Sequence, residues 1–316
     1  MMCGQLSAVG RRHVLPFSEV EQFITAQSIT AERIYLWGGE PLLHPDVTQF
    51  IKLFKERGSI VALNTNGWRL EERLEELVAS GLDRLILSID GANAETHDKI
   101  RGLPGSFAQI VRCLLLWQTQ VPAGAATRLR VNFVVLPNNY RQILDMAQWC
   151  FERGINKMHF QLPIFITNEQ AAAYQTFIQT VYNAVSKDYR AFIKSYEGID
   201  FDALANSMAQ VKLRYGSFAR FHPFDALGSE DLQKYFLTYR PICEGRCGAS
   251  IDKLVIDSSG RLVICPDFPD LSYGDVVRGP LKTSSVSSLR TGLQQAASLP
   301  ICPRCCHFSP IMKEAR

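Results

Sequence analysis

The chain has 316 residues, 47% of them hydrophobic and 21% charged, with a formal net charge of +3. That composition supports a sizeable core and excludes a disordered chain, and the length fits a main α/β domain with an appendage, since domains usually hold about 100 to 200 residues. The small charge and scattered basic residues make no case for nucleic acid or an anionic membrane surface.

From Phe17 to about Gly154 helical stretches alternate with short apolar strands and loops of small or polar residues. Strands are predicted at Arg33–Trp37, Ile60–Asn64, Arg84–Ile89, Arg130–Leu136 and Lys157–Gln161, with helices near Val47–Lys55, Glu71–Ala79, Phe107–Trp117 and Arg141–Phe151 between them. Such alternation predicts a parallel sheet with right-handed crossovers, whose ligands sit in the loops after the strand C-termini. Those loops read Gly38-Gly39-Glu40-Pro41, Thr65-Asn66-Gly67 and Asp90-Gly91. Residues from about Thr167 to Tyr239 read as mainly helical, with Tyr174, Phe177, Tyr182, Tyr189 and Phe192 as a core stripe. After Arg240 a hairpin is expected from Asp252–Asp257 and Arg261–Ile264 around Ser258-Ser259-Gly260. The expected division is 1–164, a barrel core; 165–239, a helical connection; and 240–316, a small cysteine-rich domain.

Of nine cysteines, Cys3 opens the chain, Cys113 and Cys150 lie in apolar helices, and Cys243, Cys247, Cys265, Cys302, Cys305 and Cys306 cluster near the end. No charged-then-apolar leader is legible and no run approaches the roughly 18 apolar residues that cross a bilayer, so a cytoplasmic location and no membrane partner are expected. Clustered thiols in a reducing compartment point to metal rather than disulfides, and soft thiolates joined by a hairpin suit either an iron–sulfur cluster or tetrahedral zinc. Cys113 and Cys150 read as packing. His44, His97, His159 and His307 show no metal-binding spacing.

In the stretch from Tyr35 to Pro45, a strand runs into two glycines, a carboxylate and a proline. The glycines let a ligand approach the backbone, and Glu40 can accept a charge-assisted bond from an ammonium group; a tight turn is the plain alternative. The stretch resembles the GGEP motif of the radical S-adenosylmethionine family. Leu63-Asn64-Thr65-Asn66-Gly67 and Leu87-Ser88-Ile89-Asp90-Gly91 are similar to the family's third and fourth strands, and Thr96-His97-Asp98-Lys99-Ile100-Arg101-Gly102 to the segment that follows. The resemblance implies S-adenosylmethionine bound by Gly38, Gly39, Glu40 and Pro41, its ribose near Ser88 and Asp90, and its methionine carboxylate on Arg101. It also implies a 4Fe-4S cluster whose reduction yields a deoxyadenosyl radical, and a reductant such as flavodoxin or ferredoxin. No acid or base is assigned.

The family's C-x3-C-x2-C motif is represented here by Cys3 alone. The resemblance therefore leads us to expect a partial (β/α)6 barrel lacking its first strand, an incomplete ligand set for the catalytic cluster, and a chain inactive as given. The tail resembles a SPASM or twitch domain, implying one auxiliary 4Fe-4S cluster on Cys247, Cys265, Cys302 and Cys305, with Cys243 and Cys306 as competitors and zinc as the alternative. A peptide or protein substrate is implied by analogy alone. The rival from another class is a noncatalytic protein binding S-adenosylmethionine or a peptide, with a structural zinc.

Overall fold

The computed structural model describes residues 13–122, 124–183, 185, 188–238, 253–263, 265, 269 and 272–277, with backbone only at 181–182, 188, 245–247 and 308–310. Cys3, Cys243, Cys302, Cys305, Cys306 and His307 lie outside the described residues, and Cys247 is described by its backbone. Two compact units are present, one built from Pro16–Gln161 and Asn206–His222, the other from 13–15, Leu162–Ala205 and the residues after His222.

In the first unit, β1 (Arg33–Leu36), β2 (Ile60–Thr65), β3 (Arg84–Ser88), β4 (Arg128–Val134), β5 (Lys157–Gln161) and β6 (Ala219–His222) form one sheet. They lie in chain order and every neighbouring pair is parallel. Right-handed crossovers that never reverse direction place all connecting helices on one side, the arrangement of a barrel rather than a doubly wound sheet. The fold is thus α/β with a partial (β/α)6-type barrel. The strand β6 corrects the sequence reading, which placed Ala219–His222 in a helical stretch. Four residues alternating buried and exposed are too short for periodicity to register, and only pairing with β5 makes them a strand.

The helices are α1 (Phe17–Ala26), α2 (Val47–Glu56), α3 (Leu70–Ala79), α4 (Ala94–Arg101), α5 (Ser106–Gln120) and α6 (Ile143–Glu152). Each of α2, α3, α5 and α6 buries an apolar stripe, such as Phe50, Ile51 and Phe54 on α2 or Ile143, Met146 and Cys150 on α6. That core meets the apolar strand positions Val61, Leu63, Leu85, Leu87, Val131, Phe133, Met158 and Phe160, all buried. The short α4 starts at Asn93, whose side chain accepts from Thr96 N, and stops at Gly102 in the left-handed conformation (φ 67°).

Gly91 is where α4 presses closest to the sheet. A Cβ there would lie 2.6 Å from His97 N and 2.9 Å from Thr96 Cβ. The position requires glycine because helix backbone fills the space, not because of its φ.

In the second unit, α7 (Asn168–Tyr182) opens with a capping box in which Thr167 and Gln170 satisfy each other's backbone. Tyr174 is buried and meets Tyr189 edge-on at 5.9 Å, so both members of the expected stripe are core. Next come α8 (Phe201–Tyr215), which continues into the first unit, and α9 (Ser229–Leu237). An aromatic cluster of Phe165, Tyr196, Phe201, Tyr235 and Phe236 follows, and the Tyr235 hydroxyl donates to Pro163 O at 3.0 Å. Nearer the C-terminus, β7 (Gly245–Cys247) is present, and the expected hairpin forms from β8 (Val255–Ile256) and β9 (Arg261–Val263), extended by β10 (Ser272–Asp275). Asp257 closes its turn: burial alone would raise its carboxyl, but bonds from Ser259 and Arg261 outweigh that and hold it below the ordinary carboxylate range. A final strand, β11 (Phe308–Pro310), pairs antiparallel with β7, setting Cys247 opposite Phe308.

Replacing Gly91 with alanine is expected to lower stability by roughly 1–3 kcal/mol, the usual range for overpacking. Urea unfolding of G91A should show a lower midpoint at unchanged slope; a wild-type midpoint would show that α4 yields freely.

Candidate functional site

The loop after β1 is bound to the end of β2 through Glu40. Its Oε1 accepts from Leu42 N at 3.0 Å and from the Thr65 hydroxyl at 2.6 Å, and its Oε2 accepts from Asn66 N at 2.8 Å. Thr65 is buried and its oxygen also accepts from Gly67 N at 3.0 Å, so the end of β2 fixes the carboxylate's orientation. An ionised carboxylate offers about four acceptor positions, and three are taken. One stays available on a half-buried group held rigid. Pro41 starts a short 3₁₀ turn, the position where its missing N–H is harmless. Gly38 and Gly39 face open space: a Cβ on either would meet nothing within 4 Å.

At the end of β3 the half-buried Ser88 hydroxyl donates to Asn64 Oδ1 at 3.2 Å. Asp90 is fully buried and differently employed. Its Oδ1 accepts from Val134 N at 2.8 Å, and Arg101 Nη2 stands 2.5 Å from its Oδ2. That contact is an ion pair whose angles fall short of a hydrogen bond, leaving Asp90 Oδ2 and Arg101 Nε without one. Asn139 donates its amide to Asp90 O at 3.0 Å and to Val134 O at 2.8 Å, locking the β3 and β4 loops together.

The His97-to-Arg101 segment now has a physical explanation. His97 Nδ1 accepts from Asp90 N at 3.0 Å. Asp98 takes Gly105 N, the Ser106 hydroxyl and Phe107 N, capping α5, and Arg101 neutralises Asp90. The acceptor role requires neutral imidazole. Burial first, then the nearby Arg101 cation, bring the His97 pKa down from 6.5 to about 4.

The sheet face turned away from the helices is polar. Tyr35, Asn64, Ser88, Arg130, Asn132 and His159 share it by strand register. Arg130 on β4 reaches the Tyr35 hydroxyl on β1, three strands away, a contact that curling of the sheet brings into range. Arg130 Nε and Asn132 Oδ1 are shielded from solvent and make no hydrogen bond. His159 is brought down to about 4, by burial first and then by Arg130, His222, Arg220 and Lys157.

Of the residues singled out from sequence, Gly38, Gly39, Glu40, Pro41 and Ser88 stand at the carboxyl edge of β1 to β3, while Asp90 and Arg101 face each other behind it. Sequence reasoning did not single out Thr65, Asn64, Asn139 or Arg130. The strict alternation of Arg128–Val134 carried the signal for Arg130, because a strand covered on both faces has no reason to alternate. Cys113 and Cys150 are packing residues. Both are buried; burial raises the Cys113 thiol to about 11, and that of Cys150 further still. Cys265 is half-buried just after β9, and among the described residues no three His, Cys, Asp or Glu side chains gather into a metal site.

The model of the Radical SAM superfamily matches residues 2–150. That stretch resembles a radical SAM domain. It is 37% identical over 147 residues to an AdoMet-dependent heme synthase of Methanosarcina barkeri, covering 46% of this chain and 41% of that one. It is 32% identical over 131 residues to a probable GTP 3',8-cyclase of Methanocaldococcus jannaschii, covering 41% and 42%. The chain thus matches less than half the length of these curated relatives. In fold, SuiB of Streptococcus suis superposes with a TM-score of 0.64 at 14% identity, over 94% of this chain and 67% of that one. SuiB bound to the precursor peptide SuiA gives 0.61 at 15%, over 93% and 65%.

The first unit should lose stability as acid charges its depressed histidines. For His97 the unfolded chain takes up a proton near 6.5 and the folded chain only near 4, so this stability is complete above pH 6.5, falls as pH drops, and is gone below about 4. The difference is on the order of 3 kcal/mol. Urea unfolding across this window should show a shallower pH slope in H97Q, whose amide oxygen keeps an acceptor. An unchanged slope would mean that His97 protonates freely in the folded state.

Proposed function

We propose that this protein binds S-adenosylmethionine at the carboxyl edge of β1 to β3 and is a radical SAM enzyme. The supporting observation is Glu40: a carboxylate oriented by three protein donors, with one acceptor position left, beside open glycine backbone. The residues fit the cofactor's chemistry. Glu40 would take the ammonium group, the open backbone at Gly38 and Gly39 would admit the methionine moiety, and Ser88 with Asn64 would face the ribose hydroxyls.

Bound beside a reduced 4Fe-4S cluster, S-adenosylmethionine would supply the radical chemistry that removes a hydrogen atom from substrate. The protein's own share is positioning. Thr65 and Asn66 hold Glu40 so that no reorganisation is needed when the ammonium arrives, and the Asp90–Arg101 pair with Asn139 holds the β3 loop that carries Ser88. In this reading Arg101 acts on the methionine carboxylate through the field it shares with Asp90.

Cys3, which the resemblance assigns to the catalytic cluster, lies outside the described residues. For the tail we retain one auxiliary 4Fe-4S cluster over zinc. The β7–β11 pairing supports a shared thiolate site of either kind, since Cys247 stands opposite Phe308, which follows Cys306 by two positions in sequence; the choice of cluster rests on the family resemblance. Iron, sulfide and zinc analysis after anaerobic reconstitution separates the two, and zinc without iron or sulfide overturns the cluster. A peptide or protein substrate draws on the SuiB fold alone, while the curated relatives are named for heme and for GTP.

The site is tested by calorimetry with S-adenosylmethionine. Replacing Glu40 with glutamine keeps a hydrogen-bond acceptor and removes the charge, and should weaken binding by roughly tenfold or more, the worth of a charged hydrogen bond. Equal affinity of E40Q and wild type would overturn the assignment.

A further inference from the structure

The six strands of the first unit contain no Asp or Glu, although the whole chain is almost balanced at 34 basic and 31 acidic residues. Their cations, Arg33, Arg84, Arg128, Arg130, Lys157 and Arg220, all fall by strand register on the polar face. Arg33 and Lys157 are engaged, with Glu32 and with Ser217 O, and Arg84 and Arg128 are exposed at the strand starts. Further along stand the half-buried Arg130 and the exposed Arg220, with His159 and His222 on the same face of three adjacent strands.

We infer that this patch on β4 to β6 binds an oxyanion of the substrate, so that the substrate is a carboxylate- or phosphate-bearing molecule. The inference rests on the radical SAM reading, which places S-adenosylmethionine over β1 to β3 and leaves β4 to β6 for the reaction partner.

Three observations carry it. Arg130 donates to the Tyr35 hydroxyl, yet its shielded Nε has no hydrogen bond among the described residues, and a cation held there with only a neutral partner is costly unless a counter-charge arrives. Right-handed crossovers put the connecting helices on the opposite face, and the strands themselves bring no carboxylate to this one. The depression of His159 by burial and by Arg130, His222, Arg220 and Lys157 reports the same accumulated positive field. Guanidinium groups with imidazoles on the same face are suited to planar or tetrahedral oxyanions through forked donors.

The test is calorimetry of the full chain at low ionic strength with two probes, inorganic pyrophosphate and the tricarboxylate tricarballylate. At least one should bind, the tighter naming phosphate or carboxylate as the group recognised. R130Q and R220Q should each weaken it by roughly tenfold. K52Q, which removes an exposed charge from α2, should leave it unchanged. A readout independent of variant folding is the His159 ring proton in the wild-type protein, which should shift on probe addition while that of exposed His13 does not. Binding of neither probe, binding equally weakened by all three substitutions, or equal movement of both histidines would overturn the inference. S-adenosylmethionine binding is measured on the same samples. Its retention without anion binding overturns the substrate inference alone, and its loss with anion binding kept overturns the proposed function and leaves the anion site standing.

Discussion

Everything described for the first unit follows from one topological constraint: six parallel strands laid down in chain order. Each crossover is right-handed, so each helix lands on the same side, and the sheet acquires one face packed by helices and another they never cover. The covered face became a core of Val, Leu, Ile and Phe. The other face was free to be polar, and the strands alternate accordingly from β2 to β6 except within β3, where Ile86 is buried among apolar neighbours.

The same constraint gathers the strand C-termini along one edge, where Glu40 acts as glue and, in the proposed reading, as ligand group. As glue it stitches the β1 loop to the end of β2 with two bonds and braces its own turn with a third; in the proposed reading the acceptor position left over, oriented by that stitching, meets the ligand. The tight-turn reading and the binding reading of the GGEP stretch are therefore not rivals. Preorganisation is what makes a structural carboxylate a good binding group, because its orientation is fixed before the ligand arrives. Asp90 shows the opposite division of labour: completely buried and ion-paired, it serves the loop that presents Ser88.

A buried ion pair next to a buried neutral histidine is an expensive arrangement, and its cost is offset by backbone groups that would otherwise lack partners. Asp90 N, Val134 N and Val134 O are satisfied by His97, Asp90 and Asn139 in turn. Removing one member leaves a buried group without compensation, which couples the β3 and β4 loops more tightly than packing alone would.

The sequence by itself determined the strands β1 to β5 and the helices between them, because hydrophobic period is a local property that side chains express wherever they fold. It also determined that Gly38 to Pro41, Thr65 to Gly67 and Ser88 to Gly91 belong to one edge, since parallel strands must end there. What it left undecided depended on neighbours distant in the chain. β6 exists through its pairing with β5, and Thr65 matters through a carboxylate 25 positions away. Asp90 and Arg101, individually unremarkable in a sequence, become a buried pair only when α4 packs against Gly91. The cationic face was present in the letters as alternation, yet only the register of parallel strands set its residues side by side, because like-facing positions are defined between strands and not along them.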